Sequence, residues 1–178
     1  MAITSSMGTH KLYIRKGDRN TWVDFTGTLD TAANAADVVA GRVFTLTGGG
    51  KLTPGIVTAA TPFYALSGLD ANNYPDVTRS RGMPRSGAVQ FATLSAFAAV
   101  EAVSTEFVAG DTFTVGLPLT GLATTAAAGS RGLLGVVTVA TQPIVGYVAP
   151  AGKYTDVDGN AVVAFYPAYV AGSTVRTA

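Results

Sequence analysis

The sequence predicts an all-β fold: two tandem, related β modules packed as a β-sandwich or distorted barrel, behind an extended N-terminal arm. Three observations carry this reading. Val, Thr, Ala and Gly dominate, and only 13% of the residues are charged, about half the usual ~25%. Long helices would need more Leu, Glu, Lys and Arg. Short apolar or alternating runs are punctuated by Gly, Pro, Asn and Asp, the pattern of strands and turns. Finally, GIVTAAT at 55–61 returns as GVVTVAT at 135–141, and a repeated segment is to be weighed before local structure is argued.

The echo has company in the same order. VAGRVFTL (39–46) precedes the first copy and VAGDTFTV (108–115) the second. Tyr74-Pro75-Asp76-Val77 follows the first and Tyr154-Thr155-Asp156-Val157 the second. AVQFATL (88–94) and AVVAFYP (161–167) close the two copies. The spacing grows between the first and second match, which places extra residues in GLPLTGLATTAAAGSRG (116–132), a composition suited to a surface loop. The division that follows is an arm at 1–20, a first module at 21–95 and a second at 96–178, the two modules forming one compact unit.

In chain order, strands are expected at 12–15, 21–25, 42–46, 55–59, 62–66, 88–94, 97–103, 111–115, 134–139, 143–148 and 161–166. In GRVFTL, Val43 and Thr45 should face one way and Phe44 and Leu46 the other. GGG at 48–50 marks a turn. PIVGYV reads as a buried strand after a proline, and Asp158-Gly159 is a hairpin signal. The Ala-rich run SAFAAVEAVSTEF also suits a helix; Val, Thr and Phe favour a strand.

Ordinary catalytic and metal-binding patterns find little support. No cysteine is present, which removes disulfides and thiolate metal sites. The single histidine, His10, would have to serve any histidine-based site alone. TGGGKLT is not a phosphate loop, because Thr45 stands in the first glycine's place and Leu52 follows the lysine. DVDGN is not a calcium loop: Gly159 arrives too soon, and six residues after it stands Phe165. Glu101 and Glu106 are the only glutamates; five residues apart on an extended segment, they face opposite ways and cannot serve as a glycosidase pair. No enzyme activity, cofactor or metal is expected.

Net charge is +1, which gives no electrostatic ground for nucleic-acid binding. The halves differ mildly. Residues 1–89 hold nine basic against six acidic residues, and residues 90–178 three against five. The N-terminus lacks the apolar core of a signal peptide, and no apolar run approaches the ~18 residues of a membrane span. A soluble chain, not exported by the Sec route and without membrane partners, is expected. Two basic groups are candidates for partner contact: Lys11, Arg15, Lys16 and Arg19 on the arm, and Arg79, Arg81 and Arg85 in the loop TRSRGMPRSG. Arginine suits carboxylate recognition. Removing residues 1–19, or replacing the three loop arginines, is expected to leave the fold intact.

The order EAVSTEFVAGDTFTVGLPLT (101–120), GLLGVV (132–137), PIVGYV (143–148) and AFYPAYV (164–170) resembles capsid decoration, or cement, proteins and related small head proteins of tailed bacteriophages. The resemblance covers about 70 residues, a stretch measured on this sequence. It implies an all-β virion protein, made in the host cytoplasm and bound on the outer surface of a phage capsid. The implied partners are the major capsid protein and further copies of the chain, with a homotrimer ahead of a dimer. It carries over no catalytic residue. The competing expectation is a carbohydrate- or receptor-binding β module of a phage tail or fibre.

Overall fold

The computed structural model describes residues 12–17, 24–30, 33–47, 49–57, 63–67, 88–93 and 100–170. The described chain is all-β, apart from one 3-10 turn at Ala35–Asp37. Its strands are β1 (Leu12–Gly17), β2 (Asp24–Leu29), β3 (Val43–Leu46), β4 (Lys51–Pro54), β5 (Phe63–Ser67) and β6 (Ala88–Thr93). The C-terminal part adds β7 (Val100–Ser104), β8 (Pro118–Gly121), β9 (Leu134–Val136), β10 (Ile144–Thr155) and β11 (Ala161–Val170).

Two sheets result. The large one is antiparallel throughout, in the order β1-β7-β11-β10-β8-β9. The small one pairs β2-β4-β3-β5-β6. Its pairings run round in a ring, but the link between β2 and β4 is a parallel contact of two residue pairs only. The small sheet is therefore strongly curled without being a fully bonded barrel.

Alternation assigns the faces of the large sheet. Val100 and Ala102 of β7, Val163 and Phe165 of β11 and Val148 of β10 point inward. They join Leu12, Phe113, Leu119, Leu134 and Val145 in the main core, where Val43 and Ile56 enter from the small-sheet side. Glu101, Val103, Val162 and Ala164 take the outer positions. All five residues of β7 are buried, Glu101 and Ser104 included, so both faces of this strand are covered. Gly146 is required beside the core, because a Cβ there would lie 2.9 Å from Phe165 Cδ2.

The small sheet has its own cluster of Val38, Phe44 and Leu52, flanked by Leu29, Ala33 and Leu46. The expected division of β3 holds: Phe44 and Leu46 pack into this cluster while Val43 reaches the main core. Backbone bonds stitch the two sheets together. Val43 N–H donates to Gly132 O (2.9 Å), Ile56 N–H to Leu122 O (3.1 Å) and Thr124 N–H to Ile56 O (3.1 Å). The approach is close enough that a Cβ on Gly132, whose φ is +75°, would meet Val43 O at 2.3 Å.

Several expectations are corrected. The strand expected at 12–15 is present as β1, but residues 12–17 are not part of an arm: they pair with β7 and carry the fully buried Leu12. The segment 111–115 is not a strand: Phe113 plugs the core, Asp111 Oδ2 accepts from Val136 N–H (2.7 Å), and the chain turns at Gly116, φ +81°. Of the strand expected at 55–59, residues 55–57 are not strand, since Gly55 (φ +99°) ends β4 and sends Ile56 across to bridge Ala123, and residues 58–59 lie outside the described residues. The expected surface loop at 116–132 instead supplies β8, and Leu119, Thr120, Leu122, Ala123 and Ala126 are buried.

Where both echoed heptads are described, at 55–57 and 135–137, they do not occupy equivalent strands. Gly135 lies within β9, antiparallel to Thr120 of β8, whereas Gly55 ends a strand and Ile56 makes a lone parallel bridge. VFTL of the first copy is β3, but the matching Thr112–Val115 is loop. At these described positions, similar words are used in different backbone conformations.

Candidate functional site

The structure gathers polar and aromatic side chains in three places. The first is the outer face of the large sheet. A register shift between Ile14 and Lys16 lets both Arg15 and Lys16 serve Glu101 of β7. Arg15 Nη1 donates to Glu101 Oε1, and Lys16 Nζ lies 3.6 Å from Oε2. Glu101 is only 1% exposed, so its charge is compensated rather than solvated. The Arg15 guanidinium is held above its ordinary pKa, first by that hydrogen bond.

Arg15 also lies over the ring of Tyr154, 5.7 Å from its centroid. Tyr154 is hydrogen-bonded to Tyr13, whose phenol is raised well above the usual tyrosine range. Burial is the largest cause, followed by the Tyr154 bond and the negative charges of Asp156 and Asp158. Register adds two more tyrosines to this face. Tyr13 stands opposite Val103 and Tyr154 opposite Val162, both outer positions; Tyr147 and Tyr166 are directly opposed, one step from the inward pair Val148 and Phe165.

The second place is the seam between the sheets. Arg42, 5% exposed, donates from Nε to Glu106 Oε2 and from Nη1 to Asp37 Oδ1, both at 2.7 Å. Its Nη2 donates to Gly129 O (2.9 Å) and Nη1 also to Arg131 O (3.2 Å). Arg131 N–H in turn donates to Asp37 Oδ1 (3.2 Å), and its guanidinium lies 3.8 Å from Oδ2. Glu106 is fixed through its own N–H to Ser104 Oγ, which donates to Gly41 O. This charge-balanced set ties the 3-10 turn and the start of β3 to the end of β7 and the loop before β9.

The third place is the turn of the β10–β11 hairpin, where Asp158-Gly159 sits as expected. Asp156 Oδ1 accepts from the N–H groups of Asp158 (3.0 Å) and Asn160 (2.8 Å), and Gly159 takes φ +82°. Val157 is fully exposed at the tip. Lys153 braces the base, 4.9 Å from the centroid of the Phe107 ring.

Of the expected contact residues, Arg15 and Lys16 are brought together on Glu101. Lys11, Arg19, Arg79, Arg81 and Arg85, like His10, lie outside the described residues. Glu101 and Glu106 answer to different arginines on different sides of the molecule, as their spacing suggested. Among the described residues, no three His, Cys, Asp or Glu side chains converge as a metal site. The seam cluster and the tyrosine face were not anticipated. Asp37, Arg42, Glu106 and Arg131 are scattered in sequence with no motif spacing, whereas the tyrosines become a group only once strand order is known. No family model, curated protein or solved structure matches the chain.

Proposed function

We propose that this chain is a virion structural protein that decorates and stabilises the outer surface of a phage capsid by binding the major capsid protein. One observation carries the reading. The segments that resemble decoration proteins fall, in order, on β7 through β11 of a single antiparallel sheet, the all-β setting that the resemblance implies. The polar clusters support it, since each serves as a structural tie: Glu101 to β1, Arg42 across the seam, Asp156 within a turn. A rigid body of this kind suits a role in which a surface, rather than a cleft, does the binding.

The test is co-sedimentation of the purified chain with shells assembled from the major capsid protein alone. Saturable binding is expected. The triple variant Arg79→Ala, Arg81→Ala, Arg85→Ala should lower occupancy, by a margin that shrinks as salt rises, because each exposed pair contributes only about 0–1 kcal/mol. A chain that stays in the supernatant at every salt concentration contradicts the proposal.

A further inference from the structure

We infer that the Asp158-Gly159 peptide, at the tip of the β10–β11 hairpin, is a site of spontaneous covalent modification: the aspartate isomerises to isoaspartate, at a rate that the Asp156 carboxylate holds down. This goes beyond the decoration reading and does not depend on it. The chemistry needs an aspartate whose next residue has no Cβ to block the backbone nitrogen, in a stretch of chain that can open. Asp158-Gly159 is the chain's one Asp-Gly pair, and no Asn-Gly pair occurs. The other described aspartates, at 24, 30, 37, 111 and 156, are each followed by Phe, Thr or Val, whose side chains crowd that nitrogen. Asp158 and Gly159 are exposed, and Val157 beside them fully so. Gly159 takes φ +82°, and a Cβ built there would meet nothing within 4 Å among the described residues. Hydrogen bonds rather than packing therefore hold the tip.

The reaction consumes nothing but water, which it also returns. The Gly159 amide nitrogen gives its proton to solvent and attacks Cγ of the Asp158 carboxyl in its protonated form. A new N–Cγ bond closes a succinimide ring, and the carboxyl hydroxyl leaves as water. Water then adds back at either ring carbonyl. Breaking the N–Cγ bond restores aspartate; breaking the bond from nitrogen to the α-carbonyl carbon leaves the chain running through Cγ, longer by a methylene. In the closed turn that nitrogen is engaged, since Gly159 N–H donates to Asp156 O (3.1 Å). Asp156 braces the turn with its side chain as well. Its Oδ1 accepts from the N–H groups of Asp158 (3.0 Å) and Asn160 (2.8 Å), and Asn160 Nδ2 lies 3.3 Å from each carboxylate oxygen. Asp158 keeps a further interaction of its own, so the reactive form is the opened turn. Opening is a local event: the first ladder pair below the tip is Thr155 with Ala161, and the core residues Val163 and Phe165 lie further along β11.

Incubation of the full chain at neutral pH, followed by tryptic mapping, tests this. Cleavage after Lys153 and Arg176 releases residues 154–176 as the peptide that carries the site. A second form of this peptide, equal in mass and separable by chromatography, should accumulate. An endoproteinase that cuts before aspartate should cut it at 156 and spare it at 158, and a protein isoaspartyl methyltransferase should label it above every other peptide. Asp158→Glu, which would have to close a larger ring, should remove the second form. In urea, where the turn is open, the parent should convert about tenfold or more faster than when folded, and Asp156→Ala should speed the folded chain by about tenfold, because charge-assisted bonds to backbone N–H are lost. In urea that variant and the parent should convert alike. Circular dichroism confirms that each variant is folded; should Asp156→Ala unfold, the folded and denatured parent still decide. A folded parent that stays unmodified long after the denatured parent has converted overturns the inference, as does one that converts just as fast. So does a folded Asp156→Ala chain that converts like the parent, a label stronger in another peptide, or an Asp158→Glu chain labelled like the parent.

Discussion

Arg42 is the residue on which the joining of the two sheets concentrates. Its guanidinium is buried between two buried carboxylates, and it also donates to the carbonyls of Gly129 and Arg131. Removing it takes away the guanidinium that Asp37 and Glu106 share and leaves Asp37 with the more distant Arg131, 3.8 Å away. Arg42→Met should therefore cost about 3–5 kcal/mol in denaturant unfolding, whereas replacing all three with apolar side chains of similar size should recover much of the loss. Tyr13 gives a second residue-scale test. Its folded-state pKa is raised, so the folded chain holds the phenolic proton more tightly than the unfolded chain. The resulting stability is fully present below the ordinary tyrosine pKa of 10.0 and is lost as pH rises above it. Unfolding followed up the alkaline range should show a decline that Tyr13→Phe lessens. Neither residue announces itself in the sequence: Arg42 looks like one more charge ahead of a strand, and Tyr13 is one of seven tyrosines.

At the scale of elements, strands with a strong local pattern were legible and those fixed by long-range pairing were not. VFTL, AVQFAT and the β10–β11 hairpin could be read from alternation, β-branching and Asp158-Gly159. β8 was hidden because PLTG carries a proline and a glycine, yet pairing with β9 and β10 makes it a strand with a buried centre. The opposite error arose at 111–115, where good alternation lost to the demand for Phe113 in the core and to Asp111 capping Val136. β1 was legible as a strand at 12–15, but its place within the large sheet was hidden by its charges. Arg15 and Lys16 suggested a solvated arm, but they sit on an edge strand, where a bulge and basic residues discourage further pairing. It follows that Leu12→Ala should cost about 2–5 kcal/mol in thermal or denaturant unfolding. Deleting residues 1–19 should destabilise the fold rather than spare it, since β7 then loses one of its two partners and becomes the edge strand. A deletion variant as stable as the parent would show that β1 is dispensable.

For the whole molecule, low charge content and short strands were enough to give the class, but not the division of labour between sheets. The large sheet takes β1 from one end of the sequence and β7 to β11 from the other, with the small sheet built from the chain between them. The seam is made from backbone, from Val43 and Ile56 in the shared core, and from the Arg42 cluster. Such a body offers faces and edges to a partner, which is the physical content of the decoration reading. The most direct measurement is an electron cryo-microscopy map of the particle made by the genome that encodes this chain. The account predicts density on the outer surface of the shell into which the six-stranded sheet fits, touching the major capsid protein. Particles that lack the chain, or that carry it only on the tail, would contradict it.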